Sequence, residues 1–303
     1  MLNEKGKGML VGLAIGDALG VTLEFTARGS FEPISNIIGG GPFSLQAGKW
    51  TDDTSMALCL ADSLIEKGGF DAHDQMEKYL DWYRNGYNSS ERGCFDIGLT
   101  TRNALRTFEK TGEVYCGSEN PNTAGNGSIM RLAPVAIKYH NDTDLLMEYA
   151  ALSSKTTHAA PEAVQSCMLL GLYLQAFLHD KDKNFIFSAE FIQGAQKKIP
   201  DMLPNISYIL NGSYIHKNEA QINSSGYCIA TLESALWAFA GTDNFRDCLL
   251  KAVNLGNDSD TVGAVTGQIA GAYYGYSEIP QSWKEILYLE NEIAERAEIL
   301  LID

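Results

Sequence analysis

Apolar residues recur at three- and four-residue intervals along most of the chain. Met56, Ala57, Leu60, Ala61, Leu64 and Ile65 fall on one face of a helix starting near Ser55. The same period predicts helices at roughly 5–20, 71–84, 98–110, 143–153, 162–179, 226–240, 245–254, 260–275 and 282–301. Strand-like alternation is weak everywhere. The pattern predicts an all-α fold, a single compact multi-helix domain spanning residues 1–303, with the Gly/Asn/Ser-rich stretches 29–50, 112–128 and 254–260 as long loops.

Two of these helices carry glycine at every fourth position: Gly8, Gly12, Gly16 and Gly20 in the first, Gly263, Gly267, Gly271 and Gly275 in the second. That spacing puts each set on one bare stripe. An interior glycine costs up to about 1 kcal/mol relative to alanine, so the stripes need close backbone approach in return, either to another helix or to a ligand. Tight helix packing in the core is the simplest source of it, and it would bring the two ends of the chain together.

Composition adds mainly exclusions. With 45% apolar and 20% charged residues the chain is an ordinary globular one. No run of about 18 apolar residues predicts a membrane span. The apolar start is broken by glycines and by Asp17 before any cleavage site, so it is expected to be a folded helix of a cytoplasmic protein. Six scattered cysteines form no C-x-x-C pair and are expected to be reduced thiols. A net charge of −15 without a basic patch argues against nucleic acid as a partner. A monomer is expected.

Chemistry concentrates in two aspartate clusters, Thr51-Asp52-Asp53 and Asp258-Ser259-Asp260-Thr261, each directly before a helical pattern. Helix capping accounts for either cluster alone, since Asp and Thr favour N-caps and carboxylates suit the positive end of the dipole. Capping needs one side-chain oxygen, whereas each cluster supplies two carboxylates and a hydroxyl. Four carboxylates brought together without cations would repel one another. Oxygen-only ligands select hard cations such as Mg²⁺, Mn²⁺ or Ca²⁺ over zinc, and four carboxylates could neutralise two divalent ions. That arrangement requires the clusters to meet in space.

Four stretches, taken in order, resemble the ADP-ribosylglycohydrolase family: Gly12 to Gly20 followed by Glu24, Trp50-Thr51-Asp52-Asp53-Thr54, Gly125-Asn126-Gly127-Ser128-Ile129-Met130-Arg131, and Asn257-Asp258-Ser259-Asp260-Thr261. Gly93-Cys94-Phe95-Asp96-Ile97-Gly98 resembles the bacterial branch typified by the dinitrogenase reductase-activating glycohydrolase. The resemblance implies an all-α fold with a central two-metal cleft that removes ADP-ribose from a modified side chain of a mono-ADP-ribosylated protein, arginine being the first expectation. It implies Thr51, Asp52, Asp53, Asp258, Asp260 and Thr261 as ligands of two divalent ions, Mg²⁺ or Mn²⁺. It places Glu24 at the metal rim and makes Asp96 an acid/base or substrate-orienting carboxylate. Gly125, Asn126, Gly127, Ser128 and Met130, together with His158, are expected to contact the ADP-ribose.

Each of these residues has a plainer use. Glu24 alone reads as a solvated carboxylate. Asp96 could cap the helix near Gly98, or pair with the guanidinium of an arginine substrate. The Gly125–Ser128 loop could be an ordinary turn, or could offer backbone N–H groups at a helix N-terminus to a diphosphate. His158, alone in sequence, is more often structural. Neither a G-x-x-x-x-G-K-[ST] nor a G-x-G-x-x-G element supports a nucleoside triphosphatase or a dinucleotide oxidoreductase. The alternatives are hydrolysis of another linkage, such as ADP-ribosyl-serine or a small molecule, and a non-catalytic ADP-ribose-binding relative.

Overall fold

The structure, a computed structural model, describes residues 1–302. The helices run α1 (Leu2–Gly20), α2 (Asp52–Lys67), α3 (Ala72–Asn85), α4 (Leu99–Thr111), α5 (Ala133–Lys138), α6 (Thr143–Lys155) and α7 (Pro161–Leu178). They continue as α8 (Ala189–Lys198), α9 (Pro204–Leu210), α10 (Cys228–Ala240), α11 (Phe245–Val253), α12 (Ser259–Tyr274), α13 (Gln281–Ile286) and α14 (Glu290–Ile302). Among the described residues only isolated bridges interrupt the helical architecture, in keeping with the all-α expectation.

The first and last thirds of the chain meet at the centre. α1 and α12 lie antiparallel with their glycine stripes face to face. A Cβ placed on Gly12 would stand 2.4 Å from the carbonyl oxygen of Gly267, one on Gly16 2.0 Å from that of Gly263, and one on Gly271 1.8 Å from that of Gly8. Backbone thus packs on backbone. Gly275 leaves the stripe and ends α12 at φ +90°. Around this pair, α14 covers α1, while α10, α11 and α7 cover α12, and α2 packs on α3 and α5. The run Leu2–Leu23 is long and apolar enough to cross a membrane by those two measures, contrary to the expectation, yet 89% of its most apolar window is buried inside this fold.

Two features depart from the helical period. The expected single helix 282–301 is two, α13 and α14, with Leu289 at φ +55° between them. Long-range bonds break it: Tyr288 N–H donates to Gly48 O (3.0 Å) and Trp50 Nε1–H to Tyr288 O (3.3 Å). Helices α5, α8 and α9 were absent from the pattern. Ala133 to Ile137 of α5 are all buried, so no polar face marks the period, and α9 has only seven residues. All six cysteines are free.

Candidate active site

The glycine packing sets the site, because it lays the start of α12 beside the end of α1. Ser259 Oγ–H donates to Gly20 O (2.7 Å), and a Cβ on Gly20 would stand 2.2 Å from Ser259 O. The start of α2 reaches the same place through Asp17, a fully buried acid on α1. Its carboxylate accepts from Thr51 N–H (2.9 Å), Thr51 Oγ1–H (3.0 Å), Thr54 N–H (3.0 Å) and Thr54 Oγ1–H (2.7 Å). Asp17 therefore caps α2 from another helix. Neither Thr51 nor Asp258 makes a side-chain cap bond on its own helix. Capping does not use up either cluster, and Asp52, Asp53, Asp258 and Asp260 are left for other work.

The two clusters meet. Thr51 Oγ1 lies 3.4 Å from Asp260 Oδ2 and 3.3 Å from Asp53 Oδ2, and Thr261 Oγ1 lies 3.4 Å from the same Asp53 oxygen. Glu24, Asp96 and Asp260 each offer an oxygen within 4.8 Å of the others. Glu24 is buried, not solvated as its sequence position suggested. Gly98 rather than Asp96 occupies the N-cap of α4, so Asp96 is also free of capping. Glu24, Asp52, Asp96, Asp258, Asp260 and Thr261 line a cleft of about 250 Å³. Thr51 and Asp53 form the layer beneath it, both with no exposed surface. An apolar hollow of about 460 Å³ beside His140 and His179 is larger, but it gathers no such set of carboxylates.

Burial pushes every one of these carboxyls upward, and mutual repulsion adds to it at Glu24, Asp52, Asp53, Asp96 and Asp260. Asp17 and Asp258 rise to about 6, Asp96 to about 7 and Glu24 to about 11, chiefly through desolvation, and for Glu24 through the charges of Asp260 and Asp96 as well. Asp52, Asp53 and Asp260 are raised for the same reasons. Asp53 Oδ1, Asp260 Oδ1 and Glu24 Oε2 are buried without a hydrogen-bond partner. Acceptor oxygens left bare in a low-dielectric pocket are costly unless a cation faces them. The donor set is all oxygen, which suits a hard divalent ion.

The loop expected to contact the nucleotide is placed differently from the expectation. It does not stand at a helix N-terminus, since α5 begins only at Ala133, with Leu132 as N-cap. Gly125, Asn126, Gly127, Met130 and His158 line the cleft; Ser128 does not. Ser128 turns inward, where its Oγ–H donates to Ser154 Oγ (2.8 Å), which in turn donates to His158 O (2.8 Å). Asn126 reaches the metal-type cluster directly, donating to Asp258 Oδ2 (2.5 Å) and to Thr231 Oγ1 (2.9 Å). The N–H groups of Gly127 and Ser128 have no acceptor among the described residues, so the loop still offers backbone donors to an anion. Asp17 and Arg131 were given no role from sequence. A lone acid inside an otherwise apolar helix was the available signal for Asp17.

Such a helical protein gathers, from three helix ends and beside a donor-bearing loop, buried carboxylates that could hold a hard cation. The chain belongs to the ADP-ribosylglycohydrolase family, whose model matches residues 1–303. It is 46% identical over 300 residues to "ADP-ribosylarginine hydrolase Tri1" of Serratia proteamaculans (strain 568), covering 98% of this chain and 79% of that one. It is 29% identical to the "ADP-ribosyl-[dinitrogen reductase] glycohydrolase" of Rhodospirillum rubrum, covering 99% and 96%. A solved structure described as "ADP-ribosylglycohydrolase-related protein complex" superposes with a TM-score of 0.88 at 40% identity, covering 99% of this chain and 98% of that chain.

Proposed function

We propose that this protein hydrolyses the N-glycosidic bond between ADP-ribose and an arginine side chain of a modified protein, with two divalent cations, Mg²⁺ or Mn²⁺, as cofactors. The observation that carries the reading is the convergence of Thr51, Asp52, Asp53, Asp258, Asp260 and Thr261 under a cleft faced by Glu24 and Asp96. The arginine linkage rests on similarity to the Serratia and Rhodospirillum relatives.

Those six residues would hold the cations. When bound, the cations would polarise water and orient the ribose hydroxyls. Asn126 holds Asp258 in place, and Asp17 fixes Thr51. The bond from the ribose anomeric carbon to the guanidine nitrogen breaks and one from that carbon to a water oxygen forms. Carboxylates nearby stabilise the oxocarbenium character that develops. Glu24 and Asp96 between them take the proton lost by water and return one to the departing nitrogen. The products are ADP-ribose and unmodified arginine. The cleft shares Thr100, Gly125 and Gly226 with a neighbouring hollow of about 660 Å³, which gives room for the nucleotide half.

The test is release of ADP-ribose from arginine-linked and serine-linked protein substrates assayed side by side. Asp52→Ala and Asp260→Ala should abolish release while the fold survives. Full activity of either variant in metal-controlled buffer sinks the two-cation reading, faster serine release reassigns the linkage, and binding without release makes the protein a reader of ADP-ribose.

A further inference from the structure

Arg131 has no surface exposed, and among the described residues no carboxylate pairs with it. A buried cation without a counter-charge costs several kcal/mol unless every donor is used well. Its guanidinium lies 4.7 Å over the ring of Tyr79; Nε–H is buried without an acceptor, and the two terminal nitrogens are spent on oxygens of two segments. Nη1–H donates to Gly127 O (2.9 Å); Nη2–H donates to Thr157 Oγ1 (2.7 Å) and Ser153 O (3.2 Å). One planar group thus ties the cleft loop to the turn that carries His158.

The hydrogen bonds around Thr157 favour one tautomer of that histidine. Arginine only donates, so Thr157 Oγ1 accepts from Arg131 and its own proton is free. The other neighbour of this hydroxyl is His158 Nδ1, at 2.8 Å. With no other acceptor beside it among the described residues, the hydroxyl proton goes to Nδ1, and Nε2 carries the ring hydrogen. The Nε2 edge lies against the glycines of the cleft loop: a Cβ on Gly127 would stand 3.1 Å from Nε2, and one on Gly125 3.4 Å. His158 lines the cleft beside Asn126, Asp258, Asp96 and Glu24.

We propose that Arg131 and Thr157 are positioning residues that lock His158 as a neutral imidazole, its Nε2–H presented to the cleft as a fixed hydrogen-bond donor to an oxygen of the ADP-ribosyl group. His158 is then a recognition group and not a base. Burial, reinforced by the Arg131 charge, holds its imidazole down to about 3, in keeping with this role. The inference rests on the proposed ligand, ADP-ribose, but its first readout does not depend on turnover.

The experiment uses the full chain with Thr157→Val, which keeps shape and removes the hydroxyl, and Thr157→Ser, which restores it. Nitrogen-15 NMR of the imidazole should give the Nε2–H tautomer in the wild type, unchanged from about pH 5.5 to about pH 8, the range in which an unperturbed histidine would titrate. Thr157→Val should mix the tautomers and Thr157→Ser should recover one. Calorimetry with ADP-ribose itself should give an affinity about tenfold weaker for Thr157→Val, close to wild type for Thr157→Ser. An Nδ1–H tautomer in the wild type, a histidine that titrates in that range, or equal ADP-ribose affinity in Thr157→Val overturns the proposal. Should the wild type bind ADP-ribose and hydrolyse nothing, the catalytic reading falls and this one stands.

Discussion

Substitution of Gly267 by alanine tests whether the glycine stripes hold the site together. The new Cβ would lie 1.9 Å from the Gly12 carbonyl oxygen and 2.4 Å from its carbon, and both are backbone atoms of a neighbouring helix that no rotamer change can move. Ordinary contact needs about 3.4 Å, so α1 and α12 must part by more than an ångström. Overpacking of this kind costs about 1–3 kcal/mol, and the rigid wedge puts it at the upper end. Alanine returns up to about 1 kcal/mol in helix propensity. A net loss of about 2 kcal/mol follows, a fall in Tm of about 3 °C for a chain of this size. Gly194 is the control: it lies in α8, and an added Cβ there meets nothing within 4 Å. Gly194→Ala should be neutral or gain up to about 1 kcal/mol. Urea or thermal unfolding of both variants, with Mn²⁺ affinity measured on each, decides the matter. Gly267→Ala should also bind the ion more weakly, because α1, through Asp17, positions Thr51 and the start of α2 opposite Asp260 and Thr261 of α12. Equal stability of the two alanine variants would refute the argument.

Asp17→Asn removes the charge that caps α2 and orients Thr51, so it should lower divalent-ion affinity about 10–100-fold with a smaller loss of stability, read by calorimetry and by unfolding. Asp96→Asn should slow release by at least about 100-fold while leaving ion affinity in place; an equal loss of affinity would make Asp96 a ligand, which its place beside Glu24 and Asp260 allows. Metal-free protein should be less stable at neutral pH than at mildly acidic pH. The folded carboxyls of Asp17 and Asp258 are raised to about 6 and that of Asp96 to about 7, from 3.8. Between those values the folded state holds more protons, so its stability falls as pH rises from about 4 through 7. Saturating Mn²⁺ should reverse that slope, as Tm against pH would record.

The helices that position the site were legible because their period is long and their faces are distinct; the opposing stripes could be inferred from glycine spacing alone. The clusters at Thr51–Asp53 and Asp258–Thr261 were legible from chemistry, since their oxygen count exceeds what capping uses. Asp17 was not, because its role depends on the N-terminus of α2 arriving beside it, a contact between residues far apart in sequence. The break between α13 and α14 was hidden for the same reason, being imposed by Gly48 and Trp50. Ser128 reads as part of a binding loop, but its neighbour Ser154 turns it inward, and sequence gives no sign of that.

The central claim is that the converged carboxylates work by holding divalent cations for ADP-ribosyl-arginine hydrolysis. The most direct measurement is the rate of ADP-ribose release from an arginine-modified protein by chelator-stripped enzyme, followed by titration with Mn²⁺ or Mg²⁺. The structure predicts negligible release after stripping and full recovery on titration, with no recovery in Asp260→Ala. Undiminished release by the stripped enzyme would contradict it.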